Sequence, residues 1–429
     1  MKYLDTSSSD FKKSLSSQIK SNSEPNDEIS MVVSEIVKDI RDRGDEALLE
    51  YTNQYDRLSA QLKNLEITKS EIDTALSRIS DSMRESLENA IKRIRSFHEK
   101  QKQETWTYTD EDGNTLGQRI TSIERVGVYV PGGKAAYPSS VLMNVIPAQV
   151  AGVQEIIMVV PTPDGERNDL VLASAAILGV NKIFSIGGAQ AIAALAFGTK
   201  LIPKVDKIVG PGNMFVAAAK RQVFGFVGID MIAGPSEVVI IADENANADW
   251  VAMDLLAQAE HDEEASAILI SPNANIIKSV EKSIEKFLPQ MERAEIIQAS
   301  LNNNGLIIKT KDFTQAVEIV NIIAPEHLEL AVIDPEILLE DIKHAGAIFM
   351  GNYSAESIGD YCAGPNHVLP TSHTARFSSP LGVYDFQKKT SLIKCDGNSV
   401  SEIARVASIL AHGEGLTAHA RSAEFRHRS

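Results

Sequence analysis

The sequence predicts an α/β fold with two parallel sheets and a crevice between them. Three observations carry this. Past Val126 the composition turns apolar and Gly-rich, and short apolar runs alternate with helical ones. The same alternation returns at 238–242, 267–270 and 347–350. The chain of 429 residues is long enough for two to four domains of roughly 100–200 residues each. Strand–helix alternation makes parallel sheets with right-handed crossovers the economical arrangement.

In chain order, residues 1–22 are polar and Ser-rich and read as an arm. From Asn26 the residues Ile29, Val32, Val33, Ile36, Val37 and Ile40 fall at helical spacing, and Gly44 caps that helix. Thr68-Lys69-Ser70-Glu71 is a capping box that opens another helix. Residues 81–100 read as a long charged helix, and 106–119, broken at Asp112-Gly113, as a hairpin. Strands follow at 156–160, 182–186 and 207–209, with helices at 169–178, 189–197 and 213–224 between and after them. A last helix spans 401–410 and is broken by Gly413, Glu414 and Gly415. No solenoid repeat is visible.

Composition narrows the function. Lys and Arg number 42 against 58 Asp and Glu, a net charge of −16, which repels phosphate backbones and argues against a nucleic-acid partner. Hydrophobic residues at 43% and charged residues at 23% exclude a disordered or collagenous chain. Cys362 and Cys395 are too few for a disulfide framework and fit a reducing cytoplasm. No apolar run follows Met1-Lys2-Tyr3-Leu4-Asp5, so no secretory signal is expected. The stretch 135–154 has no charge and is long enough to span a bilayer. Its Pro138, Asn144, Pro147, Gln149 and Gln154 place it instead in a buried core, and no membrane association is expected.

Several short motifs carry chemistry, each with a plainer alternative. Gly187-Gly188-Ala189-Gln190 and Gly210-Pro211-Gly212-Asn213 each follow a strand and open a helix, where phosphate meets free N–H groups. Each also suits a tight turn that needs glycine. Tyr129, before the Gly-rich turn ending in Gly132-Gly133, could stack on a ring or fill the core. Gln258 and His261 are i,i+3 neighbours late in a helix, half of a metal site or a solvated helix end. Pro325 suits the first position of a helix, with Glu326 and His327 in its first turn; the dipole would there favour ionised Glu and neutral His. Asp360, His367, Glu414 and His419 lie in non-periodic segments that usually face water. Cys362 reads as a packing residue.

Taken together and in order, these motifs resemble the histidinol dehydrogenase family. The resemblance rests on Ala257-Gln258-Ala259-Glu260-His261-Asp262, Ala324-Pro325-Glu326-His327-Leu328, Gly359-Asp360-Tyr361, Gly364-Pro365-Asn366-His367-Val368-Leu369-Pro370-Thr371, Gly234-Pro235-Ser236-Glu237-Val238 and Glu414-Gly415-Leu416-Thr417-Ala418-His419. It runs from about residue 25 to 425. It implies a zinc- and NAD-dependent oxidation of L-histidinol to L-histidine. Gln258, His261, Asp360 and His419 would bind one zinc per subunit. Those four, with Ser236, His327, His367 and Glu414, would contact substrate. Tyr129, Gln190 and Asn213 would contact NAD, His327 would be the base and Glu326 would activate water. The implied architecture is two incomplete Rossmann-like domains, 23–128 with 236–378 for metal and substrate and 129–235 for NAD. An arm over 1–22 and a dimerisation tail over 379–429 complete a homodimer with shared sites. The competing reading is a zinc hydrolase that uses the same Glu, His and metal without NAD.

Overall fold

The structure, a computed structural model, describes residues 1–19, 27–132, 137–397 and 399–426. Asn26, Gly133, Ala135, residues 20–22 of the expected arm and His427 lie outside the described residues.

The strands are β1 Lys2–Asp5, β2 Trp106–Thr109, β3 Thr115–Ser122, β4 Arg125–Tyr129, β5 Glu155–Val159, β6 Lys182–Phe184, β7 Lys207–Val209, β8 Gly228–Ile229, β9 Glu237–Ala242, β10 Ser266–Ser271, β11 Leu306–Lys309, β12 His327–Ala331, β13 Ala347–Met350 and β14 Gln387–Lys394. They form two parallel sheets, as expected. The first has the order β6-β5-β4-β7-β8. The second has the order β1-β11-β10-β9-β12-β13. Leaving β1 aside, both sheets reverse strand order beside their first strand, so each has one topological switch point. A third, antiparallel sheet, β14-β3-β2, joins the expected hairpin to a strand of the tail.

Apolar cores lie on both faces of each parallel sheet. On one face of the first sheet pack Pro138–Ala151 and Asp169–Ile177, with Lys69–Arg78 and Asp81–Glu99 outside them. On its other face pack Asp27–Arg43, Asp45–Tyr55, Gly188–Phe197 and Met214–Val223. The helices of 27–99 therefore pack on the first sheet, whereas the resemblance groups 23–128 with 236–378. Helix 138–151 is buried, and no helix among the described residues is long and apolar enough to cross a membrane.

The second sheet is covered by Ala248–Ala259, Ala274–Phe287 and Ala294–Asn303 on one face. Phe11–Ile19 and Phe313–Ile323 cover the other. The segment read as an arm thus supplies β1, an edge strand paired with β11, and a helix. An edge strand needs only one apolar face, and the polar composition conceals it. Capping holds as read: Thr68 accepts from the Glu71 N–H, and the Glu71 carboxylate accepts from the Thr68 N–H. In the tail, Val400–Gly413 and Thr417–Glu424 pack on each other across a break where Gly415 has φ +75°.

Candidate functional site

The candidate catalytic pair lies at the start of a strand, Glu326 just before it and His327 its first residue, which corrects the helix expected from Pro325. Helix 313–323 ends at Ala324 in the left-handed region, φ 50°, and Pro325 follows as a stop. His327 then opens β12, and Leu328 and Leu330 are fully buried in alternation. Replacing either leucine by Ala would cost about 2–5 kcal/mol and loosen the strand that carries His327.

His327 is buried along the amino edge of the second sheet, in register with Val238 of β9 and Ala347 of β13. Its Nδ1 lies 3.1 Å from the Glu237 main-chain oxygen. Nδ1 also lies 3.7 Å from Glu326 and 3.8 Å from Glu356, and Nε2 lies 3.5 Å from Asp360. Burial opposes charge on this imidazole, but the Glu356, Glu326 and Asp360 carboxylates outweigh it and raise its pKa well above the ordinary value. The neutral His expected from a helix dipole is thereby corrected: no helix starts here, and carboxylates surround the ring. Glu326 is buried, accepts a 3.0 Å hydrogen bond from the Glu237 N–H, and is pushed up to about 8 chiefly by burial.

Helix 248–259 supplies Gln258 from its last turn, fully buried, and His261 follows just beyond the helix end. With its nitrogen toward Glu356, the Gln258 amide donates to both carboxylate oxygens, at 2.7 and 3.2 Å. Desolvation by the surrounding chain lowers the pKa of His261, against the pull of Asp360, which favours the neutral, ligating form. Asp360 lies in a helical turn over 359–363, not in a loop. Burial opposes its ionisation, but His327, His367 and His261 prevail and hold its carboxyl below the usual range. His367 is lowered chiefly by burial. Its neighbour Asn366 anchors it, donating to the Met143 carbonyl at 2.7 Å and accepting from the Val368 N–H at 2.8 Å. Arg93 donates to the Cys362 carbonyl at 2.8 Å. The segment 356–371 is thus tied to helices of the first sheet, and the site lies where the two sheet units meet. Cys362 itself is exposed, which corrects its reading as a packing residue.

Ser236 precedes β9, and its carbonyl accepts from the Ser266 N–H at 3.0 Å. Glu414 and His419 are exposed on the tail. Among the described residues, no hydrogen bond or ion pair joins either of them to Gln258, His261 or Asp360 within the chain.

Glu356 escapes the motif reading, although it stands four residues before Asp360, one helical turn away. His327, Glu356 and Asp360 bring ligand atoms within 4.8 Å of one another, a grouping that could hold a cation. Glu329 escapes it as well; its carboxylate accepts from the Glu356 N–H at 2.7 Å and orients that turn.

The expected nucleotide residues gather at the carboxyl edge of the first sheet, beside its switch point. Tyr129 ends β4, is buried, and its hydroxyl accepts from the Gly188 N–H at 3.1 Å. Burial pushes its phenol up to about 12. Gln190 is buried in the first turn of helix 188–197. Asn213 caps helix 214–223, accepting from the Phe215 and Val216 N–H groups at 3.1 Å each. Gly210, at φ +111°, crosses from β7 against β4, where a Cβ would overlap the Tyr129 carbonyl oxygen. Carboxyl ends at a switch point are where such sheets bind nucleotides.

The family model for histidinol dehydrogenase matches residues 19–427. A histidinol dehydrogenase of Pseudomonas fluorescens is 58% identical over 424 residues, covering 99% of this chain and 96% of the relative. One of Neisseria gonorrhoeae is 58% identical over 427 residues, covering 99% of this chain and 100% of the relative. The crystal structure of the histidinol dehydrogenase of Elizabethkingia anophelis superposes with a TM-score of 0.94 at 34% identity, covering 99% of this chain and 98% of that one.

Proposed function

The chain belongs to the histidinol dehydrogenase family, an oxidoreductase of histidine biosynthesis, and from that premise we propose that it carries L-histidinol through the aldehyde to L-histidine. The reading rests on one convergence: Glu326, His327, Gln258, His261, Asp360 and His367 lie together on the amino edge of the second sheet. Alcohol to acid is a four-electron change. The first step removes a hydride from carbon and a proton from oxygen. Water then adds to the aldehyde, and the hydrate loses a second hydride and a second proton. NAD, when bound, would supply the hydride acceptor for each oxidation.

His327, in its deprotonated form, which the surrounding carboxylates disfavour and higher pH restores, takes the proton paired with each hydride; its imidazole is buried at the reacting edge and held through Nδ1. Glu326 removes a proton from the water that adds to the aldehyde. Ser236, His367 and Glu414 bind the substrate. Tyr129, Gln190 and Asn213 hold NAD at the carboxyl edge of the first sheet. The donor set suits zinc: an amide, an imidazole held neutral and a carboxylate held ionised. Zinc on Gln258, His261, Asp360 and His419 of the partner subunit would supply charge and a fixed template for the substrate. The exposure of His419 on the tail supports a site shared within a homodimer, and the enzyme works in the cytoplasm.

The test is stoichiometric. Each histidinol consumed yields two NADH, read at 340 nm, with no free aldehyde building up. A ratio of one with aldehyde in solution refutes the two-step reading, and no NADH at all returns the site to hydrolysis.

A further inference from the structure

We propose that the buried ion pair Lys220–Asp230 is a positioning element for NAD, because it grips both polar groups of Gly210 in the turn that leads to Asn213. The inference rests on the reading of that turn as a cofactor contact. Lys220 lies in the last turn of helix 214–223, and Asp230 follows β8. Their side chains are 3% and 1% exposed. Lys220 Nζ donates to Asp230 Oδ1 at 2.5 Å and to the Gly210 carbonyl at 2.7 Å. Asp230 Oδ2 accepts from the Gly210 N–H at 2.8 Å.

The pair does more than fill space. A buried ion pair adds little stability over apolar side chains of similar volume. Two such apolar residues, however, would leave the Gly210 N–H and carbonyl without these partners. Gly210 has φ +111°, a conformation open to glycine and rare for other residues, and lies so close to the Tyr129 carbonyl that a Cβ would overlap it. The turn then continues through Gly212, where a Cβ would overlap Val216. Its direction therefore depends on what holds Gly210. Lys220 and Asn213 belong to the same helix, Asn213 capping its start and Lys220 reaching back from its end. The pair fixes the turn to the helix that it opens. Releasing it lets the turn relax away from Tyr129, so Tyr129 and Asn213 no longer meet one nucleotide at once.

The experiment compares wild type, the volume-matched double variant Lys220→Met/Asp230→Leu, the conservative Asp230→Asn, and Asn213→Ala as a direct-contact control. NADH binding is measured by fluorescence, and KM for NAD and for histidinol, zinc content and thermal midpoint are measured alongside. The double variant is expected to weaken NADH binding and raise KM for NAD about tenfold. Its histidinol KM should stay within about twofold, with zinc retained. Asp230→Asn should show a smaller loss of the same kind and carries the test if the double variant does not fold. If Asn213→Ala weakens NADH binding while the Lys220 and Asp230 variants do not, the pair is structural only and the proposal fails. If both KM values move together, it fails likewise. If Asn213→Ala leaves NADH binding unchanged, the reading of the turn itself is wrong, and the inference falls with it.

Discussion

The Nδ1 atom of His327 lies 3.1 Å from the main-chain oxygen of Glu237. A carbonyl can only accept, so Nδ1 carries the proton of that bond and Nε2 is the ring atom turned toward Asp360 and the site. The backbone of β9 thereby orients the imidazole proposed as the base. Asn at position 327 can still donate to the Glu237 oxygen, but it has no atom where Nε2 stands. His327→Asn should therefore keep its fold and slow both oxidations by ~10²–10⁴-fold. Separate NADH assays starting from L-histidinol and from L-histidinal check this. A defect confined to one half-reaction would show that His327 does not serve both.

In the proposed division of labour Glu326 serves only the second oxidation. Burial raises its pKa to about 8, so it is mostly protonated at neutral pH. A base works in its deprotonated form, so Glu326 should make histidinal oxidation rise more steeply with pH, up to about pH 8, than histidinol oxidation, which follows His327 alone. Glu326→Gln removes the water activator and the Glu326 share of that rise, leaving the rise that His327 imposes on both oxidations. It should slow histidinal oxidation more than histidinol oxidation. Equal damage to both half-reactions, with the steeper rise intact, would contradict the assignment.

Much of the fold and of the site is legible in the sequence. Alternation locates both sheets, and Asp360 lies beside His261 and His367, an approach that the family resemblance implies and the spacing alone does not. What is not legible has physical causes. Pro325 can open a helix or follow one, and the alternation of Leu328 and Leu330 is the sign that a strand begins at His327. β1 is concealed because an edge strand tolerates polar residues. Glu356 and Glu329 act through a tertiary approach between β12 and the turn at 356–363, which no local pattern encodes. The packing of helices 27–99 on the first sheet is equally non-local.

Metal should be separable from fold. His261 lies beyond the end of helix 248–259 and Asp360 is half-buried, so neither side chain fills the core. His261→Ala and Asp360→Ala should each lose bound zinc with thermal midpoints little changed, and chelation of the wild type should abolish turnover until zinc is restored. Metal content by atomic emission reads the outcome. Zinc retained in both variants would mean that the ligands are wrongly assigned. Cys362 is exposed and its main-chain oxygen, not its thiol, is bonded by Arg93, so Cys362→Ala should keep full activity.

The tail sets the last expectation. Val400–Gly413 and Thr417–Glu424 pack on each other, and Ile403, Val406, Ile409, Leu410, Leu416 and Phe425 are exposed. Two short helices with so many apolar side chains in water are too small to be stable alone and must be covered. If the cover is a second subunit, His419 of one chain completes the site formed by Gln258, His261 and Asp360 of the other. Gln258→Ala and His419→Ala should then each be inactive alone. Refolded together at equal amounts, about half of the dimers are mixed, and each mixed dimer has one site with both lesions and one with neither. Activity should return to roughly one quarter of wild type if the sites act independently. Gel filtration of differently tagged chains verifies that mixed dimers form. If they form and no activity returns, His419 serves the site of its own chain, and the shared site is excluded.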